Sequence, residues 1–341
     1  MTPSGRPATI EDVARVAGVS RAAVSKVIRN AYGVSPGMRE KVTAAIDELD
    51  YRPSVAARAL RGSSFTIGIE TPGFANQFFT KIIDGATEEL GGTRYQLIIA
   101  PAEDGAREGY RAVEALIDRQ VDGLVAVSPL VAPAWLDRLA QRLPVVMLGR
   151  HDESALYDTV VGDDELGARL ALDHLASLGH RRIAHFTRSE VVTEPGLRTP
   201  HGIRLATYLS WMEQHGLADE VRIARTGPSD SDAHAAALEL LREDHRPTAV
   251  FAGHDQLALG VQVAMSELGL TARDVSIVGY DDVEIAAHPG ISLTTVNQAG
   301  ALMGETAIRM LLERIDGRTE ARQVMIEPRL VVRSSTGAPS L

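Results

Sequence analysis

The stretch from Thr9 to Asn30, TIEDVARVAGVSRAAVSKVIRN, constrains this chain more than any other. Thr9 stands three residues before Asp12, the spacing of a capping box, and Ile10, Val13, Ala14 and Ala17 then fall on one helical face. Gly18 ends that helix. Ser20 is a natural N-cap for a second helix, whose inward stripe is Ala23, Val24, Val27 and Ile28. The outward face is then Arg21, Ala22, Ser25, Lys26 and Arg29. Two short helices joined by a tight glycine-containing turn form the helix-turn-helix layout, in which the first turn of the second helix meets base edges in the major groove. A surface helical hairpin of an enzyme has the same local pattern, so the neighbouring segments must decide.

Ser35, with Pro36 at the first helical position, opens a third helix with apolar residues Val42, Ala45, Ile46 and Leu49. Pro53 stops the preceding helix. Ser54 can cap a further one of about eight residues, short of the ~12–15 that an isolated helix needs in water. Ordering it costs on the order of 8–16 kcal/mol of backbone entropy, so it should fold only against a partner.

Charge is segregated. The chain of 341 residues has a formal net charge of −10, yet residues 1–62 hold 10 Lys and Arg against 6 Asp and Glu, net +4, leaving 25 against 39, net −14. A basic headpiece suits phosphates, and an acidic body is repelled by them. Cysteine is absent, which excludes disulfides and thiolate metal sites and suits a reducing compartment. The sequence contains no apolar run of signal-peptide or membrane-spanning character, and a cytoplasmic, nucleoid-associated location is expected.

From Phe65 onward, short apolar runs (FTIGIE, YQLIIA, GLVAV, PVVML, RIAHF, VRIA, AVFAG, VSIVGY, LTTV) alternate with amphipathic stretches at 77–91, 106–119, 163–178, 202–215, 231–243, 255–268 and 299–315. Runs apolar on both faces and separated by helices predict parallel sheets covered on both sides. The number of runs fits two doubly wound α/β subdomains. Ligands in such sheets lie beyond the carboxyl ends of the strands. Those positions hold TPGFANQFF with Phe74, Asn76 and Phe79, then His254 and Asp255, Asp281 and Asp282, and Arg204 opens the helix after RIAHF. Arginine and carboxylates hold adjacent hydroxyls and rings cover apolar sugar faces, so a saccharide cleft is expected. Phe78, Trp135 and Trp211 read as packing residues.

The motifs TIEDVARVAGVS, AAVSKV, VSPGMREKV, LDYRPS and ALRG, followed by VDGLV, LGHRRIAHF, DQLALG, GYDD and LTTV, resemble in order and spacing the LacI family of bacterial transcriptional repressors, over nearly the whole chain. The resemblance implies an all-α helix-turn-helix headpiece at 1–53, a hinge helix at 54–62, and a periplasmic-binding-protein-like body at 63–341. That body would divide into subdomains 63–163 with 297–324 and 164–296 with 325–341, the chain crossing near 163, 296 and 324. It also implies roles. Thr9, Ser20, Arg21, Ala22, Ser25, Lys26 and Arg29 would meet DNA, Arg21 reading guanine and Ala22 offering only a methyl contact where relatives often carry a longer polar residue. Leu60 would wedge into the minor groove, Ala57 would let two hinge helices approach, and Ser54, Arg58 and Arg61 would cap that helix or contact phosphates. Effector contacts would be Phe74, Asn76, Phe79, Arg204, His254, Asp255 and Asp281, with Asp282 a helix N-terminal carboxylate. His254 stands where most relatives have Asn or Ser, and Gln77 replaces the usual proline.

Enzyme signatures fail. Gly33-Val34-Ser35-Pro36-Gly37 fits G-x-S-x-G, but the residue after that serine must donate an N–H and proline has none. The sequence has no phosphate-cradling loop, and its ten histidines show no metal-ligand spacing. The expectation is therefore a homodimeric repressor, not an enzyme, without cofactor or metal. It would bind double-stranded operator DNA and a mono- or oligosaccharide effector; the alternative is a nucleobase or phosphosugar corepressor.

Overall fold

The computed structural model describes residues 6, 8–28, 31–51, 63–102 and 106–339. They form two compact units, 1–64 and 65–341, within those bounds.

Among the described residues the first unit has three helices, α1 (Ile10–Ala17), α2 (Arg21–Ile28) and α3 (Pro36–Glu48). Thr9 and Asp12 close a reciprocal capping box at α1, and Gly18 ends it in the left-handed region (φ 65°), where a Cβ would be strained. Ser20 Oγ accepts from Ala23 N (3.2 Å) and Ser35 caps α3 through Met38 N. Val13, Ala14, Ala17, Val24, Val27, Val42 and Ala45 form the core, closed by Tyr51, whose role the helical periodicity did not indicate.

The second unit contains two six-stranded sheets. Its elements in order are β1 (Thr66–Thr71), α4 (Gln77–Glu89), β2 (Gln96–Pro101), α5 (Ala106–Asp118), β3 (Gly123–Val127), α6 (Pro133–Ala140), β4 (Val145–Leu148), β5 (Asp158–Gly162), α7 (Asp164–Ser177), β6 (Ile183–Arg188), α8 (Pro200–Gln214), β7 (Arg222–Thr226), α9 (Asp230–Leu241), β8 (Ala249–Ala252), α10 (Asp255–Glu267), β9 (Ser276–Tyr280), β10 (Thr294–Asn297), α11 (Gly300–Ile315), β11 (Gln323–Ile326) and β12 (Arg329–Val331). The strand orders are β11-β5-β4-β3-β1-β2 and β12-β10-β9-β8-β6-β7. Every pairing is parallel except β10 with β12. Each order reverses once, beside β1 and beside β6, and the crevice there is where such sheets place ligands.

The chain passes from the first lobe to the second at Asp163, back at Gln298–Ala299, and over again at Glu327–Pro328. The third crossing falls after 324 because β11 stays in the first lobe, registered along β5 from Gln323↔Thr159 to Ile326↔Gly162. β5 has no apolar signature at its start. Asp158 is fully buried there, tolerated because Arg314 and Arg318 pair with it at 3.1 and 2.5 Å. In the first lobe α4 and α11 touch backbone to backbone: a Cβ on Gly304 would lie 2.0 Å from Ile82 O.

Candidate functional site

In the first unit the outward face of α2 is open. Arg21, Ala22 and Lys26 are exposed and Ser25 is half-buried. Arg21 Nη1 pairs with Glu11 at 2.9 Å, both side chains 66% exposed. Thr9 is engaged locally, its hydroxyl donating to Asp12 Oδ2 (2.7 Å), and the bonds from Thr9 hold the Asp12 carboxyl down to about 2. The expectations for Arg29, Ser54, Ala57, Arg58, Leu60 and Arg61 lie outside the described residues.

In the second unit the lobes enclose a cleft of ≈ 320 Å³, lined from both sides. Its centre is Arg204, on the second turn of α8, a helix that starts at Pro200 behind the N-cap Thr199. The Arg204 guanidinium is buried and lies 3.5 Å over the Tyr280 ring. Its Nε donates to Asp164 Oδ1 (2.8 Å), Nη1 to Gly253 O (2.7 Å) and Nη2 to Gln298 Oε1 (3.4 Å), while Nη2 also lies 2.7 Å from Asp164 Oδ1. Asp164 bonds His151 through its other oxygen (2.9 Å). Burial pushes the Asp164 carboxyl up, but Arg204 and His151 outweigh it, and the net shift is downward.

Asp281 continues the chain of contacts. It accepts from Gln298 Nε2 (2.5 Å) and Asn76 Nδ2 (2.8 Å), and Asn76 caps α4 with its other amide atom through Phe78 N. Burial raises the Asp281 carboxyl to about 6 against the pull of Arg204 and the two amides. The Asn76–Asp281 bond, the Lys81 Nζ bond to Asp282 O and the His151–Asp164 bond each join the two lobes. Asp281 and Asp282 both sit at positive φ (116° and 51°), a costly backbone for residues other than glycine.

The structure therefore gathers Phe74, Asn76, Phe79, Arg204, His254 and Asp281 around one cleft, with Phe74 exposed. Asp255 is not among the lining residues. It is fully buried behind the wall and accepts from Val283 N (2.8 Å) and Thr295 Oγ1 (2.5 Å), because the first turn of α10 carries it toward β9 and β10. Asp282 is not a helix N-terminal carboxylate: Asn297 Nδ2 and Arg333 Nη2 each donate to it at 2.7 Å. Phe78 packs in the core as expected and also touches the cleft. Both tryptophans are packing residues, Trp211 donating to Asp173 and Trp135 standing edge-on to Tyr110.

Asp164, Gln298, His151, Arg188 and His201 were not singled out in the sequence. The first two had a faint signal, since each follows an apolar run that ends a sheet strand. His254 N-caps α10, accepting from Leu257 N through Nδ1 (3.4 Å), and its ring stands 5.4 Å from that of His201. Burial first, then Arg188 and Arg204, hold the His254 imidazole down to about 3. Behind the first-lobe wall, Glu70 is fully buried with Oε2 accepting from Val127 N (3.0 Å), and burial lifts its carboxyl to about 8. Among the described residues no cluster of three metal-ligating side chains occurs, and no helix is long and apolar enough to cross a membrane.

Residues 9–54 match the family model described as "Bacterial regulatory proteins, lacI family", and residues 172–336 match that of a "Periplasmic binding protein-like domain". The chain is 34% identical over 339 residues to the HTH-type transcriptional repressor PurR of Vibrio atlanticus, covering 96% of this chain and 98% of that protein. It is 33% identical over 335 residues to the ribose operon repressor of Escherichia coli, covering 96% and 99%. Among solved structures it superposes on the lac repressor dimer bound to operator and an anti-inducer, with a TM-score of 0.80, 29% identity, and coverage of 98% and 100%.

Proposed function

This chain belongs to the lacI family of bacterial regulatory proteins, and from that premise we propose that it is a DNA-binding transcriptional repressor controlled by a small carbohydrate held in the Arg204-centred cleft. The observation that carries this reading is the conjunction, in one chain, of an exposed basic recognition face on α2 and a cleft whose two walls come from different lobes. A ligand that alters the contacts between those lobes alters their closure. A coupling of only about 1–3 kcal/mol then changes operator affinity roughly 5–150-fold.

On this reading the protein acts in the cytoplasm as a homodimer, each headpiece taking one half-site of a near-palindromic operator, and it performs no catalytic step. Arg21 supplies base reading and Lys26 and Ser20 supply phosphate contacts; Arg29, Arg58 and Arg61 add to these, with Leu60 as the minor-groove wedge. Asn76, Arg204 and Asp281 hold ligand hydroxyls, and Phe74 and Phe79 cover its apolar face. The phenylalanine wall also suits a flat nucleobase, which stands as the second reading.

Gel-shift titration on the protein's own upstream region, with saccharide and purine panels, tests this. A specific shift altered by a sugar supports it. A shift altered only by purines selects the second reading, and no specific shift on any upstream fragment defeats the regulator assignment.

A further inference from the structure

Deepening the carbohydrate reading and resting on it, we infer that the effector is a sugar covalently joined to an aromatic ring, as in an aryl glycoside or a nucleoside. Its sugar faces the second-lobe wall, and its ring lies between the lobes at the mouth of the cleft, against Phe74.

The two walls differ in chemistry. The second lobe and the crossing segments bring ionic, imidazole and amide groups, namely Asp164, Arg204, His254, Asp281 and Gln298. Among the described residues, the polar side chains that the first lobe adds to the lining are Asn76 and Ser128, and both already hold protein partners. Asn76 donates to Asp281 and accepts from Phe78 N, and Ser128 Oγ donates to Leu148 O (3.3 Å). The larger side chains of that wall are apolar and include Phe74, Phe79, Leu130, Leu148 and Met303. A hydroxyl pressed against them gives up water without gaining a partner, which opposes binding. A sugar carries hydroxyls around its edge, so it satisfies the second-lobe wall and offers little apolar surface to the first.

The mouth of the cleft supplies an independent observation. Phe74 lines the cleft yet is 56% exposed, whereas Phe78 is buried and Phe79 half-buried in packing with the core. From the second lobe Val192, Pro200 and Pro228 line the same cleft, so apolar groups border it on both sides. A ligand ring laid on Phe74 removes apolar area from water on both partners. The cleft volume of ≈ 320 Å³ lies within the ~300–1,000 Å³ of sites that hold drug-sized molecules, which leaves room for a ring beside the sugar. Because both lobes border that ring, its contacts favour the arrangement in which they approach, and this part of the ligand biases closure together with the sugar.

Calorimetric titration of the full chain with matched compounds tests the inference: methyl and phenyl β-D-glucopyranoside, methyl and phenyl β-D-galactopyranoside, and methyl β-D-ribofuranoside against adenosine and uridine. At least one aromatic conjugate should bind roughly tenfold or more tighter than its methyl parent. Phe74→Ser should reduce that ratio by roughly fivefold or more, and Phe74→Trp, which restores a flat ring, should keep it. The exposure of Phe74 means that neither change disturbs the core. The phenyl and nucleoside arms identify the kind of ring. Methyl parents that bind as tightly as their conjugates, or a preference that survives Phe74→Ser, overturn the inference and spare the carbohydrate reading. Free adenine or uracil binding as tightly as its nucleoside overturns the inference in favour of the nucleobase reading. Failure of every compound to bind a protein that still shifts its operator overturns the inference and the carbohydrate reading alike.

Discussion

Arg21 and Arg204 carry the same guanidinium into opposite surroundings. Arg21 pairs with Glu11 in open water, where such a bridge is worth about 0–1 kcal/mol and the guanidinium would exchange its partner for another acceptor at little cost. Arg204 and Asp164 are withdrawn from solvent almost completely, and their contacts run on through Gln298 to Asp281 and Asn76. Removing one member there strands the others. The headpiece thus keeps its binding groups loosely held for a large charged partner. The cleft keeps its groups bonded to one another, so a ligand that enters must substitute for protein contacts that tie the lobes together. A ligand shifts the balance between two lobe arrangements only by as much as its contacts differ between them.

The contrast is most open to breaking at its buried end. Arg204→Ala should destabilise the body by roughly 3–5 kcal/mol, the usual consequence of leaving a buried charge unpaired. Tryptophan fluorescence during urea unfolding reads this cleanly, because both tryptophans, Trp135 and Trp211, lie in the second unit. A loss below about 1 kcal/mol would show the network to be no more committed than a surface pair.

Glu70 sharpens the same point through pH. Its carboxyl ionises near 4.5 when unfolded and at about 8 when folded. Below pH 4.5 it is protonated in both states and costs nothing. As pH rises toward 8 the unfolded chain releases the proton and the folded one retains it, so stability falls, by on the order of a few kcal/mol. Glu70→Gln should therefore flatten the decline of the body's urea midpoint between pH 5 and pH 8, and an unchanged slope would place the pH dependence elsewhere.

The headpiece should respond more gently. Thr9→Ala removes the capping box of α1 and should cost about 0.5–2 kcal/mol, seen as faster amide exchange at Val13 and Ala14 with the fluorescence transition unmoved. Arg21→Ala should change stability least, within about 1 kcal/mol. It should nonetheless lower discrimination between operator variants by roughly 1–3 kcal/mol in competition gel shifts. An Arg21→Ala protein that unfolds as readily as Arg204→Ala would erase the distinction.

Legibility in the sequence follows the same division. Thr9 with Asp12, Gly18, Ser20 and Ser35 declared the headpiece because caps and helical periodicity act over three or four residues. Strands that are apolar from end to end, such as β3 and β4, were equally plain. β5 was hidden, since its first residue is a carboxylate that becomes tolerable only when Arg314 and Arg318 arrive from more than 150 positions away. β11 was hidden too, as an edge strand with Gln323 and Met325 facing solvent. Arg204, Asp281 and Asn76 could be named from their setting, but their mutual bonding could not.

By itself the chain determined three helices with their stops and caps, a basic segment ahead of an acidic one, and enough buried strands for two covered sheets. Each of these follows from short-range periodicity or from composition. Tertiary structure alone decided that Asp255 turns away from the cleft, that the last crossing waits until Glu327, and that Asn76 meets Asp281 across 205 positions of sequence. Those outcomes depend on which buried polar groups find partners once distant segments are packed together, and a lone carboxylate or amide in a sequence does not specify the group that will satisfy it.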